Sequence, residues 1–203
     1  MPSELSNLTR RAFLVAGTAI AAVAALPRMA LALNVDQARS LIDRAIGEVN
    51  DTINSGQSET AMFGSFERIF QRYADVPTIA RSALGPAARG ASDAQMRNFT
   101  QAFQGYISRK YGRRFREFIG GRIEVTDARA IKSYYEVISV AYLQGESPFD
   151  LRWHVSDKSG QDLFFNIIIE GVNMLASERT EIGSMLDREG GNIDALVERL
   201  KAV

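Results

Sequence analysis

The sequence predicts an α+β domain: a curled antiparallel sheet of about four strands packed by helices. Apolar residues recur at helical spacing from about residue 35 to residue 118. The period changes to two after Gly121, and helical spacing returns beyond Gly171. Helices, an antiparallel meander and helices again are the order expected when sheet and helices segregate within one domain. Neither an internal repeat nor a low-complexity linker divides it.

The chain opens on a segment of a different kind. Thr9-Arg10-Arg11-Ala12-Phe13-Leu14 carries twin arginines, Leu14–Leu26 is apolar with no polar face, and Ala30-Leu31-Ala32 is a small-x-small site. Basic, apolar and small-residue regions in that order read as a twin-arginine export signal over residues 1–32. The apolar run is about 13 residues long, against about 20 needed to cross a bilayer. Cleavage after Ala32 leaves residues 33–203 as a single exported domain.

The first mature helix follows from Val35, Ala38, Ile42, Ala45, Ile46, Val49 and Ile53, with Asp36 in its first turn and Asn54-Ser55-Gly56 ending it. A second carries Met62, Phe63, Phe66, Ile69, Phe70 and Tyr73. Pro77 suits the first turn of a short third helix ending near Gly85-Pro86. Ser92 caps a long fourth helix whose apolar stripe runs Met96, Phe99, Phe103, Tyr106, Ile107, Tyr111, Phe115 and Phe118 before Gly120-Gly121 stops it. Strands are expected at Arg122–Ile131 and at Tyr134–Leu143, the latter apolar on both faces as in a strand covered on both sides. Phe149–Val155 alternates, with Phe149, Leu151, Trp153 and Val155 inward and Asp150, Arg152 and His154 outward. Asp157-Lys158-Ser159-Gly160 supplies a turn before a fourth strand, Asp162–Ile169. A helix over Val172–Arg188 and a short one from Asn192 close the chain.

Composition removes several function classes. The chain holds 24 basic and 24 acidic residues; the leader takes Arg10, Arg11, Arg28 and Glu4, so the mature domain is two charges negative. A general nucleic-acid binder carries a strong basic excess. The absence of cysteine excludes disulfides and thiolate metal sites, leaving stability to the core. Phosphate-cradling and dinucleotide glycine motifs are absent, and a single histidine, His154, excludes a multi-histidine metal cluster. No GxSxG elbow accompanies it, and it reads as a surface or hydrogen-bonded strand residue. The sequence implies no cofactor.

Three features remain as candidates. The aromatic load of the fourth helix and the strands describes either a large core or the wall of an apolar cavity. Arg109, Arg113 and Arg116 recur on one helix beside Lys110 and Arg114, as a solvated face or as a docking patch for an acidic partner or lipid head group. Glu170 follows Ile167-Ile168-Ile169 directly. It reads as a carboxylate anchoring the N-terminus of the next helix, or else as the acid/base of a small-molecule enzyme on a cone-shaped α+β sheet.

Three stretches together resemble the MlaC, or toluene-tolerance, family of periplasmic lipid-binding proteins. In Ala91–Gly112 the match is Phe99, Phe103, Tyr106 and Tyr111-Gly112. It continues through Glu170-Gly171-Val172-Asn173-Met174 with Arg179 and Glu181. It ends on the closing helix through Gly190 or Gly191, Leu196 and Leu200. The resemblance spans the mature chain. It implies a nuclear-transport-factor-like sheet plus a helical part enclosing an apolar cavity. It further implies a monomeric, non-enzymatic carrier of phospholipid or a hopanoid-like lipid. Such a carrier serves outer-membrane lipid asymmetry as auxiliary component of an inner-membrane ABC transporter complex, with an outer-membrane lipoprotein complex as its other partner. Placed on that architecture, the lipid lining is expected to be Phe99, Phe103, Tyr106, Val137, Leu151, Trp153, Ile167, Ile169, Val172 and Leu175, with docking through Arg109, Arg113 and Arg116.

Overall fold

The computed structural model describes residues 33–113 and 118–203; the export segment and the expectations for Phe115 and Arg116 lie outside the described residues. The described residues form six α-helices and one open sheet of five antiparallel strands. The helices are α1 (Val35–Ile53), α2 (Glu59–Tyr73), α3 (Val76–Leu84), α4 (Asp93–Gly112), α5 (Met174–Arg188) and α6 (Ile193–Ala202), with a 3-10 turn at Gly85–Arg89. The strands are β1 (Arg122–Ile131), β2 (Tyr134–Tyr142), β3 (Phe149–Ser156), β4 (Leu163–Ile169) and β5 (Val172–Asn173), in that spatial order. The α+β class is as the residue periods predict, with one more strand than the four expected.

Local chemistry sets the helix starts. Asn34 and Gln37 form a reciprocal capping box on α1, and Ser92 and Gln95 form another on α4. Pro77 occupies the first turn of α3, where its missing N–H costs nothing. α1 also manages the free edge of the sheet. The Asn50 side-chain amide donates to the Ile123 carbonyl and accepts from the Ile123 N–H, each at 3.1 Å, and Arg39 donates to the Val125 carbonyl at 3.2 Å. An edge strand otherwise presents these groups as a template for foreign strands.

The inner face of the sheet carries Ile123, Val137, Ala141, Leu151, Trp153 and Val155, all buried in one apolar core with the helices. α4 does not lie on the sheet; it packs against α2, α3 and α6.

Two local expectations are corrected. Val172-Asn173 is a short fifth strand, so the last long helix begins at Met174, and its N-cap is Asn173, accepting from the Ala176 N–H at 3.1 Å. Glu170 does not anchor that helix: it sits with Gly171 in the two-residue turn joining β4 to β5, exposed, at φ 49°. His154 lies on the face away from the main core as expected, and of its two readings the hydrogen-bonded one holds: it is buried, with Asn166 Nδ2 3.4 Å from its Nδ1.

Candidate functional site

The strand pairing sorts the apolar residues of the inner face into rows. Val137, Trp153 and Ile167 oppose one another across β2, β3 and β4; Ser139, Leu151 and Ile169 form the next row, extended by Val172 on β5. Trp153 links the two rows by donating its indole N–H to Ser139 Oγ at 2.9 Å, which satisfies both buried polar groups. Its ring meets Phe164 edge-on at 5.3 Å. On the helical side Phe99 and Phe103, both fully buried, stack one turn apart with centroids 5.7 Å apart.

Nine of the ten residues expected to line a cavity meet in a single apolar cluster. Phe99, Phe103, Tyr106, Val137, Leu151 and Trp153 are buried in it, and Ile167, Ile169 and Leu175 pack against it half-buried. Val172 stands apart at 53% exposed. Burial therefore falls along the sheet from Val137, fully buried, to Val172, and the cluster approaches the surface where β4, β5 and α5 meet.

A polar clasp borders this cluster between α4 and α5. Lys110 Nζ donates to Glu178 Oε1 at 2.7 Å and also pairs with Glu181; Tyr106 OH donates to Glu181 at 2.6 Å, and Tyr111 OH donates to Glu178. Burial opposes charge on Lys110, but the hydrogen bonds to the two carboxylates outweigh it and raise its pKa. Burial likewise works to raise the Glu181 carboxyl, yet the bonds from Lys110 and Tyr106 leave it below the usual range. Both tyrosines are pushed far up, first by burial and then by the neighbouring carboxylates, so they stay protonated and donate to those carboxylates. Sequence reasoning passed over Glu178, which is 3% exposed with its Oε2 unpartnered. The available signal was Glu178 and Glu181 on one face of α5, with Tyr106 and Lys110 similarly spaced on α4.

The outer face of the sheet holds a second polar array. Arg129, Glu136, His154 and Asn166 stand opposite one another across β1 to β4. Arg129 Nε donates to Glu136 at 2.8 Å, Asn166 Nδ2 lies 3.4 Å from His154 Nδ1, and Asn166 Oδ1 accepts from the Leu175 N–H at 3.1 Å. Tyr134 and Phe165 cover the imidazole at ring separations of 4.4 and 5.8 Å. Burial lowers the His154 pKa more than the nearby Glu136 carboxylate raises it. His154 Nε2 stands 3.6 Å from that carboxylate, beyond a hydrogen bond.

The basic residues of α4 have separate uses. Arg109 donates to the Leu200 and Val203 carbonyls at 2.6 and 2.9 Å, satisfying the C-terminal end of α6, while Arg113 is exposed. A surface groove of about 430 Å³ runs between α2, α3 and α4 beside a second of about 390 Å³; both share Gln71, Pro77, Thr100 and Gln104. None of the ten predicted lining residues borders either groove. Among the described residues no group of three histidine or carboxylate side chains is placed to hold a metal.

Two comparisons bear on this arrangement. The phospholipid-binding protein from Ralstonia solanacearum, whose structure was solved in complex with a phospholipid, shares the fold at a TM-score of 0.69 and 19% sequence identity. The match covers 81% of this chain and 95% of that one. The family model of the MlaC protein matches residues 40–202. With nearly the whole of the described domain inside that match, the chain belongs to the MlaC family.

Proposed function

We propose that this chain is a periplasmic phospholipid carrier. After export by the twin-arginine route and cleavage behind Ala32, it moves lipid between an outer-membrane complex and an inner-membrane ABC transporter complex. The observation that carries the reading is the apolar cluster between sheet and helices, graded in exposure toward Val172, in a chain of the MlaC family. The phospholipid held by the Ralstonia protein on the same fold supports it.

The energetics point the same way. Exposing acyl chains to water costs about 0.8 kcal/mol per CH₂, so a carrier has to enclose them in apolar surroundings. Chains entering past Val172, Ile169 and Leu175 would meet apolar side chains along the inner face as far as Trp153 and Val137. A head group left at that mouth keeps its water. The reading requires no catalytic group, and Glu170 is exposed in a turn.

Native mass spectrometry and organic extraction of the exported protein test this directly. Phospholipid is expected in stoichiometric amount. An exported, folded protein that carries no lipid and takes none up from phospholipid vesicles overturns the carrier reading.

A further inference from the structure

Leu33, the residue that cleavage behind Ala32 would place first, is held at three points. Its side chain is 3% exposed. Its carbonyl accepts from the Tyr135 hydroxyl at 2.6 Å, and its N–H donates to Asp157 Oδ2 at 3.3 Å. Tyr135 lies on β2 and Asp157 in the turn between β3 and β4, while Asn34 caps α1 directly after Leu33. A residue joined merely as linker to a leader needs none of these contacts.

We propose that removal of the leader converts this contact into an ion pair: the new α-ammonium of Leu33 docks on the Asp157 carboxylate, so that processing itself completes the fold. The inference rests on the cleavage given under Proposed function. A signal peptidase adds water across the Ala32–Leu33 amide. The C–N bond breaks, the water oxygen leaves with Ala32 as carboxylate, and the nitrogen takes up protons to become an ammonium. In the uncleaved chain Leu33 offers one neutral N–H; the processed end offers three donors and a full charge to the same carboxylate. Charge-assisted bonds are about twice as strong as neutral ones. A free α-amino group titrates at about 7.7–8.0, and a carboxylate partner raises it, so the charged form holds at neutral pH. The pair stands at the start of α1, the helix that closes the β1 edge, so its effect falls on the element protecting the sheet.

The test compares two forms of the full chain. One is exported and processed by a host with a twin-arginine system; the other keeps its leader through Arg10→Lys and Arg11→Lys and is recovered from the cytoplasm. Intact mass of the exported form is expected to correspond to a chain starting at Leu33; a different start overturns the cleavage and this inference with it. Asp157→Asn is then placed in both forms, since Asn still accepts a neutral hydrogen bond but removes the charge. The substitution is expected to lower Tm by about 2–3 °C in the processed form, the scale of a partly exposed ion pair in a domain of this size. In the form retaining its leader the shift is expected to stay within about 1 °C. A Leu33 start with equal shifts in both forms overturns the ion pair while leaving the cleavage standing. Lipid extracted from the same exported sample reports on the carrier reading independently of either result.

Discussion

His154 sits on the strand face turned away from the main core, where alternation predicts a solvated side chain, and is buried there beneath Tyr134 and Phe165. Alternation assigned the face correctly but could not report what covers it. That cover comes from aromatic neighbours on β2 and β4, and nothing local to Arg152-Trp153-His154 encodes it. The consequence is a pH dependence of known sign. Burial lowers the folded-state pKa below the ordinary value of about 6.5, so the unfolded chain binds the proton more readily. The resulting stability is present above about pH 6.5 and lost as pH falls through the folded pKa. The charged groups on this face are Arg122, Glu124, Asp127, Arg129, Glu136, Asp150 and Arg152; Glu136, paired with Arg129, stands directly opposite His154, the single histidine of the chain. Between about pH 7.5 and pH 5.5 His154 is therefore the side chain whose ordinary pKa falls in the window. Urea midpoints measured across that window should decline for the native protein and stay nearly level for His154→Gln. Parallel declines in both would show that His154 is not the group responsible. Glu170 makes the companion case at this scale. Its place after three isoleucines suggested a helix anchor, but positive φ at Glu170 and Gly171 makes a tight hairpin turn that hands the capping role to Asn173.

At the scale of elements the sequence was most informative where a period runs long. α1, α3, α4 and β1 to β4 start within a residue or two of expectation, most of them behind a cap, a proline or a glycine; for α2 only the apolar positions from Met62 were legible, and it starts at Glu59 behind its Ser58 cap. β5 was not legible: two residues are too few to show a period, and its pairing with Ile168 and Ile169 is set by the turn before it. The packing of α4 was also hidden, since its aromatic stripe reads equally well against a sheet or against helices. Gly112 marks how close that packing is. A Cβ at this position would stand 2.5 Å from Phe63 Cδ1, so α4 approaches α2 at a distance only glycine permits. Helix propensity alone makes Gly112→Ala favourable by up to about 1 kcal/mol. Overpacking costs about 1–3 kcal/mol, and Phe63 would have to move near its ring base rather than at a flexible tip. The clash should win, with Tm falling by about 2–4 °C. A rise in Tm would mean that Phe63 turns aside freely and that the contact between α2 and α4 is loose.

The whole molecule combines an open sheet with helices over one face, and the proposed cargo must enter between them. As described, this space is filled: Val137, Phe99 and Phe103 are fully buried, and Trp153 is tied to Ser139. Packed interiors leave few voids larger than a water molecule, so accepting an acyl chain requires sheet and helices to part. The route of least resistance runs from Val172, already exposed, past the half-buried Ile169 and Ile167 to Trp153 on the neighbouring strand. The chain contains one tryptophan, so its fluorescence reports this single point of the inner face. Bromine on an acyl chain quenches indole emission only near contact. Protein incubated with phospholipid brominated along its acyl chains should lose most of its Trp153 emission, while the unbrominated lipid should leave the intensity nearly unchanged. Iodide in solution should quench weakly in both the empty and the loaded state, because the indole faces the core in each. Lipid uptake confirmed by extraction, with emission untouched by bromine, would place the acyl chains elsewhere on the molecule. The inner face around Trp153 would then be a structural core rather than the wall of a binding site.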